Sequence, residues 1–312
     1  MVMRIDVHAH LWTDEYLDLV EHYGQDTSAH RGLGAGGSPD ELAARFALLD
    51  SAGVDRQVLS VPPRSPHFAD ENQAVEVARF ANDQYADFVR RYPDRFAAFA
   101  ALPLPHLDAT FKELGRALDE LGMVGASVTT DVLGTPLADA SLTPLWEELD
   151  RRSAVLYIHP TGAAAQSPLI KDHHMLWMVG APVEDTIAIT NLLLAGIPSR
   201  YPNVKIITSH LGGALPMLLQ RLDDQYEWEA GGAPEKPSIA ARRLWYDTVG
   251  HSHRPAVRAA AESFGSDRLV LGTDFPYEAG DLFLRAIAYV PEALGADGNN
   301  VLDHNAAEIL GL

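Results

Sequence analysis

Eight short apolar runs punctuate the chain, at residues 4–9, 57–61, 96–102, 124–128, 155–159, 204–209, 244–249 and 269–273. Their length and composition predict buried strands. Between them the apolar positions change to a 3.6-residue spacing, which predicts helices over 39–51, 70–92, 108–121, 142–152, 184–195, 215–229, 254–264, 282–289 and 304–310. The boundaries carry their own signals. Ser38 caps a helix with Leu42, Phe46 and Leu49 on one face, Pro93 stops the long helix, and Gly122 ends the next.

Strands alternating with helices predict a parallel sheet, and eight strands is the number that closes a (β/α)8 TIM barrel. Right-handed crossovers make a single α/β barrel domain over residues 1–312 more economical than two sheets, with a doubly wound open sheet as the alternative. Two stretches stand outside the alternation. Residues 21–37 follow the first strand and carry Gly32, Gly34, Gly36 and Gly37 beside His30 and Arg31. Residues 162–182 follow the fifth and carry His173, His174, Met175, Trp177 and Met178. Both leave the C-terminal ends of strands, where barrel active sites are built, and are expected as pocket-forming insertions; mobile surface loops are the competing reading.

Composition narrows the function. A formal charge of −19, from 43 acidic against 24 basic residues, repels phosphate backbones and anionic lipid, so no nucleic-acid or membrane partner is expected. An anionic substrate then needs locally placed arginine. Lysine occurs only at Lys112, Lys171, Lys205 and Lys236, so most positive charge is guanidinium, the better carboxylate clamp. The absence of cysteine removes disulfides and thiolate sites, leaving His and carboxylate as metal ligands. The chain enters its first strand at Met3-Arg4-Ile5, and 187–197 is too short and too interrupted by Thr190 and Asn191 to span a bilayer. A cytoplasmic protein is expected.

The candidate chemistry sits at strand ends. The first strand reads Ile5-Asp6-Val7-His8-Ala9-His10, and side chains two apart share a face about 6–7 Å apart along it. Two such imidazoles can close on one metal ion, or simply finish a strand with polar groups. The fifth strand ends in His159, the sixth in Ser209-His210-Leu211-Gly212-Gly213, and the eighth in Gly272-Thr273-Asp274-Phe275-Pro276. In a barrel these ends meet at one mouth, where three or four His/Asp groups can hold a cation with an open position. The run Gly32-Leu33-Gly34-Ala35-Gly36-Gly37 lacks a preceding apolar strand and a Lys-Ser/Thr pair, so it is not a nucleotide loop. His251 and His253 follow the seventh strand as pocket lining or solvated loop.

These stretches, with Ile158-His159-Pro160 and the run from Trp177 through Pro182-Val183-Glu184-Asp185 to Ile189, resemble the amidohydrolase superfamily. More narrowly they resemble its branch typified by α-amino-β-carboxymuconate-ε-semialdehyde decarboxylase, over nearly the whole chain. The resemblance implies that His8, His10, His159 and Asp274 bind one divalent metal, most often Zn2+, with Mn2+ as the alternative. It casts His210 as the acid/base beside it and leaves Asp274 as ligand, proton acceptor or both. Asp6 is expected to support His8 or to pack. Two-metal members carry a lysine at the end of the fourth strand; here that strand reads Val124-Gly125-Ala126-Ser127-Val128-Thr129, so a mononuclear site follows.

For the substrate, the resemblance points to Arg221, eleven residues after His210, as a carboxylate clamp reaching across a homodimer interface, and to Trp177 as an aromatic neighbour. A surface Arg221 paired with Asp223 or Asp224, and a core Trp177, are the alternatives. The branch also carries an arginine in a longer segment after the first strand; this sequence is shorter there, and neither Arg31 nor Arg64 aligns with it. The expected activity is non-oxidative decarboxylation of a small aromatic or conjugated acid. Hydrolysis of a lactone or amide, or hydration of a conjugated diacid, uses the same site, and a barrel that binds without turnover is the remaining class.

Overall fold

The computed structural model describes residues 3–162, 170 and 173–312. Its strands are β1 (Ile5–His10), β2 (Arg56–Ser60), β3 (Phe96–Ala101), β4 (Gly125–Thr129), a small hairpin of β5 (Asp131–Val132) and β6 (Thr135–Pro136), then β7 (Val155–His159), β8 (Lys205–Thr208), β9 (Trp245–Asp247) and β10 (Leu269–Val270). Eight of them form one sheet in the order β1-β2-β3-β4-β7-β8-β9-β10, and all neighbours in it are parallel. The sheet closes on itself. Val7 N donates to Leu271 O (2.9 Å), Asp274 N to His8 O (2.9 Å) and His10 N to Phe275 O (2.8 Å), seaming β1 to the segment after β10. The molecule is a (β/α)8 barrel.

The strands read as unbroken apolar runs because both their faces are buried. Ile5, Val7, Val58, Phe99, Tyr157, Ile207 and Val270 fill the barrel interior. The opposite face packs against the surrounding helices in a second, larger cluster. Those helices are α1 (Asp14–His22), α2 (Pro39–Ala52), α3 (Glu71–Arg91), α4 (Leu107–Gly115), α5 (Thr143–Arg151), α6 (Ala181–Leu194), α7 (Leu215–Glu229), α8 (Arg254–Phe264), α9 (Asp281–Leu294), α10 (Ala296–Asp303) and α11 (Asn305–Leu310). Ser38 caps α2 in a full capping box with Glu41. Ala306, Ile309 and Leu310 of α11 close the N-terminal end of the barrel, where Lys205 Nζ donates to Ile309 O (2.9 Å). That lysine is at the end of the barrel away from His159, as its position at the start of β8 implies.

Boundaries shift for local reasons. The helix expected from residue 184 starts at Ala181, because a π turn at Leu176–Gly180 runs straight into it. The helix expected over 108–121 passes into a π turn at Arg116–Glu120. The one expected over 282–289 runs on to Leu294 through Pro291. Of the stretch after the fifth barrel strand, 163–169 and 171–172 lie outside the described residues. The glycine-rich stretch after β1 holds a helical turn at Ser28–His30 and lines a cavity of about 550 Å³ together with Trp12. No helix among the described residues is long and apolar enough to cross a membrane.

Candidate metal centre

The barrel brings the predicted residues together. His8 and His10 project from β1, His159 ends β7, His210 follows β8, and Asp274 follows β10. The ring centroids of His8, His10 and His159 lie 5.0–5.1 Å apart, pairwise. Asp274 Oδ1 is 3.1 Å from His8 Nε2 and 3.3 Å from His10 Nε2, while its Oδ2 is 3.8 Å from His210 Nε2. Donor atoms of His8, His159, His210 and Asp274 all lie within 4.8 Å of one another. His10, an expected ligand, lies outside this foursome and adjoins it through Asp274, while His210, expected as the acid/base, stands within it.

Outer hydrogen bonds fix which ring nitrogen faces inward. His8 Nδ1 meets Asp247 Oδ2 at 2.7 Å, His159 Nδ1 meets Pro160 O at 2.8 Å, and His210 Nδ1 meets Asp185 Oδ2 at 2.8 Å. A carbonyl or carboxylate oxygen only accepts, so each Nδ1 carries hydrogen and each Nε2 is turned to the centre. His8 Nε2 is buried and makes no hydrogen bond. Four inward-facing imidazole nitrogens and one carboxylate are the donor set a divalent cation takes once the protons have left. The residues fit a metal.

Charge tells the same story. Burial favours neutral His8, yet Asp274 and Asp247 hold its pKa up to about 9. Burial drives His10 down to about 4 and His159 well below the ordinary imidazole value. His210 rises well above that value, against its burial, because Asp185 and Asp274 face it. Asp274 is held far below the usual carboxylate range, also against burial, by His8, His10 and His210. Without a cation the cluster retains protons to balance Asp274, and metal binding would release them.

The backbone is shaped to deliver these groups. His210 and Leu211 have φ of +52° and +55°, and Asp274 has +60°, in a region side chains other than glycine seldom occupy. Gly213 follows at +63°, where a Cβ would lie 2.1 Å from Pro182 O. The turn after β8 therefore requires glycine to bring His210 against α6.

Two supporting carboxylates were not singled out by sequence reasoning. Asp247, fully buried at the end of β9, takes the His8 ring on Oδ2 and the amides of His210 (2.9 Å) and Val249 (3.0 Å) on Oδ1. Asp185, in α6, takes the His210 ring and the Ser209 hydroxyl. Asp6, expected to support His8 or to pack, accepts from the amides of His8 (3.1 Å) and Thr273 (3.0 Å), the Thr273 hydroxyl and Gln57. It ties β1 to the Asp274 segment rather than orienting a ring.

The cluster opens into a cavity of about 520 Å³ lined by His159, Trp177, His210, His251, Asp274 and Tyr277, among others. Trp177 lies against Gly162, where a Cβ would fall 2.6 Å from its ring. His251 Nδ1 sits 3.1 Å from Glu278 Oε1 at the mouth. Arg221 lies elsewhere. It is exposed on α7, beside Leu218, Leu222 and Tyr226, and does not line this cavity within one chain. Its expected surface partners are taken, Asp223 by Ser238 and Asp224 by Gln220.

A metal-binding barrel of this geometry defines a class, and the comparisons agree. The chain belongs to the amidohydrolase family, whose model matches residues 5–312. It is 29% identical to 2-amino-3-carboxymuconate-6-semialdehyde decarboxylase of Dictyostelium discoideum, over 99% of this chain and 92% of that protein. It is 32% identical to γ-resorcylate decarboxylase of Rhizobium radiobacter, over 75% and 76%. Among solved structures, dihydroxybenzoic acid decarboxylase of Polaromonas sp. JS666, with bound manganese and the inhibitor 2-nitroresorcinol, superposes with a TM-score of 0.85 at 26% identity, covering 100% and 98% of the chains.

Proposed function

We propose that residues 1–312 form one metal-dependent barrel enzyme that decarboxylates a small aromatic or conjugated carboxylic acid without oxidation. The observation that carries this reading is the inward-facing Nε2 set around Asp274, with His210 held beside it by Asp185. The decarboxylases named above support the reaction type. His8, His10, His159 and Asp274 would hold one divalent cation, Zn2+ by the branch resemblance; the manganese in the Polaromonas enzyme supports Mn2+ as the alternative. When bound, the cation supplies a Lewis acid that fixes the substrate carboxylate and a neighbouring oxygen.

His210 provides the proton. Asp185 holds its Nδ1–H, so Nε2 faces the cavity and can carry the hydrogen that is transferred. That proton adds to the carbon bearing the carboxylate. The bond to the carboxylate carbon then breaks, its electron pair restores the conjugated system, and CO2 leaves. Asp274, beside Nε2, stabilises the protonated imidazole before transfer. Trp177, at the cavity wall, would pack against a planar substrate.

We also propose a homodimer. Met217 and Trp228 on α7 are 85% and 70% exposed, and they share a helix face with Arg221. An apolar face around a guanidinium that makes no ion pair among the described residues supports a second copy docking there, with Arg221 reaching the partner's substrate.

The decisive test incubates the metal-loaded protein with hydroxybenzoates and conjugated diacids and follows CO2, beside a lactone and amide panel. CO2 release is expected. Hydrolysis without CO2, or purified protein that takes up no divalent ion, would overturn the reading.

A further inference from the structure

A second cavity, of about 660 Å³, lies at the C-terminal mouth of the barrel. Its walls are the segment after β2, the segment after β4 and one face of α6, including Arg64, Ser65, His67, Thr129, Thr130 and Ile187. It neighbours the metal centre directly. Thr129 is in register with His159, and Thr130 N donates to His159 O (2.9 Å). Arg64 lies close enough to Tyr277, which lines the metal cavity, to act on its phenol.

The polar groups here are not spent on one another. Arg64 Nη1 donates to Asp26 O (2.9 Å), while its Nε is buried without a partner, and no carboxylate of the described residues ion-pairs with it. In a chain with 43 acidic residues, a largely buried arginine that feels the Asp26 charge but makes no ion pair among the described residues needs a reason. Ser65 Oγ and His67 Nε2 are likewise buried and unpartnered. Thr129 Oγ1 donates to Asp131 O (2.7 Å), so its 3.1 Å contact with His67 is accepted from Nδ1–H, and His67 Nε2 is left as an acceptor. Each buried orphan is costly unless something pairs with it. Two acids also border the cavity, and both are engaged: Glu184 accepts from Thr130 Oγ1 and the amides of Thr161 and Gly162, and Asp131 accepts from Gly134 N.

We propose that this cavity is a second-anion subsite, in which Arg64 holds a carboxylate of the substrate other than the one that leaves. Ser65 Oγ supplies a donor beside it, and His67 Nε2 accepts from a water that bridges to the carboxylate. The inference rests on the decarboxylase reading and narrows its substrate class to ring or diene diacids.

The test measures binding of isophthalate and of benzoate to the metal-loaded protein by calorimetry, in the wild type, Arg64→Gln and Arg64→Lys. The wild type is expected to prefer isophthalate by tenfold or more. Arg64→Gln should remove that preference and Arg64→Lys should keep part of it, with melting curves confirming that each variant folds. If Arg64→Gln does not fold, loss of preference in Arg64→Lys relative to the wild type decides the question. Equal binding of the two acids by the wild type, or a preference that survives in both variants, would overturn the subsite. A preference for isophthalate without CO2 release from any diacid would leave the subsite standing and overturn the decarboxylase reading; CO2 release with no role for Arg64 would do the reverse.

Discussion

At the scale of single residues, the centre depends on side chains that hold the candidate ligands as much as on the ligands themselves. Asp247 fixes the tautomer of His8 and, through its other oxygen, the backbone of His210. Asp247→Asn keeps the volume but can present an amide hydrogen to Nδ1. The expected result is metal affinity lowered about 10–100-fold, read by competition with a chelating dye. His210 and Asp185 separate differently. His210→Ala should retain one equivalent of metal by elemental analysis while turnover falls by about 10²–10⁴; metal loss in that variant would make His210 a ligand. The candidate ligands were legible because each stands at or near the C-terminal end of an apolar run as His or Asp. Asp247 carries the same signal, a carboxylate directly after Trp245-Tyr246, and could have been found by it. Asp185 could not, since its role depends on α6 crossing beside the turn after β8, a contact between segments 25 residues apart.

At the scale of elements, strand ends and the loops that leave them set the site. The order of strands and helices was readable because both faces of each strand are buried and the crossovers are amphipathic. The close of the barrel was less so, since β10 keeps its regular ladder for only Leu269–Val270 before Asp274 turns to φ +60°. Gly272 sits in that seam, where a Cβ would lie 2.8 Å from Asp247 Cβ and 3.0 Å from His8 Cβ. Gly272→Ala must therefore spread β1 from β9. A loss of about 1–3 kcal/mol in denaturant unfolding, with a lower metal content, is expected. The loop after β2 brings a pH dependence. Burial lowers the pKa of His67 from 6.5 to about 3, so the folded state keeps it neutral while the unfolded chain protonates. Between those values the unfolded state binds more protons, and stability falls as pH falls from 6.5 toward 3. By pH 5 the cost is roughly 2 kcal/mol. His67→Gln should flatten that part of the acid unfolding profile, while an unchanged slope would show that His67 is not held neutral.

At the scale of the whole molecule, one chain builds the metal centre but leaves Arg221 outside its cavity. Sequence reasoning could number that arginine from His210 but could not say whose cavity it serves, because that depends on how α7 faces pack. If the proposed dimer forms, the two sites exchange arginines, and the arrangement is measurable by mixing variants. His210→Ala lacks its proton donor but has an intact Arg221 to lend; Arg221→Ala has an intact donor but lends nothing. Each homodimer should be nearly inactive toward the acid substrate. In a dimer of one of each, the site with wild-type His210 receives the wild-type Arg221 of its neighbour, and the other site receives neither. Random pairing makes half the dimers mixed, each with one working site of two, so unfolding and refolding an equimolar mixture should recover about one quarter of wild-type activity. If Arg221 served its own chain, or no chain, the mixture would recover nothing beyond the sum of its parts. Sedimentation of Trp228→Glu provides the companion measurement: a charge placed on the apolar face should shift the protein toward monomer and remove the recovered activity with it.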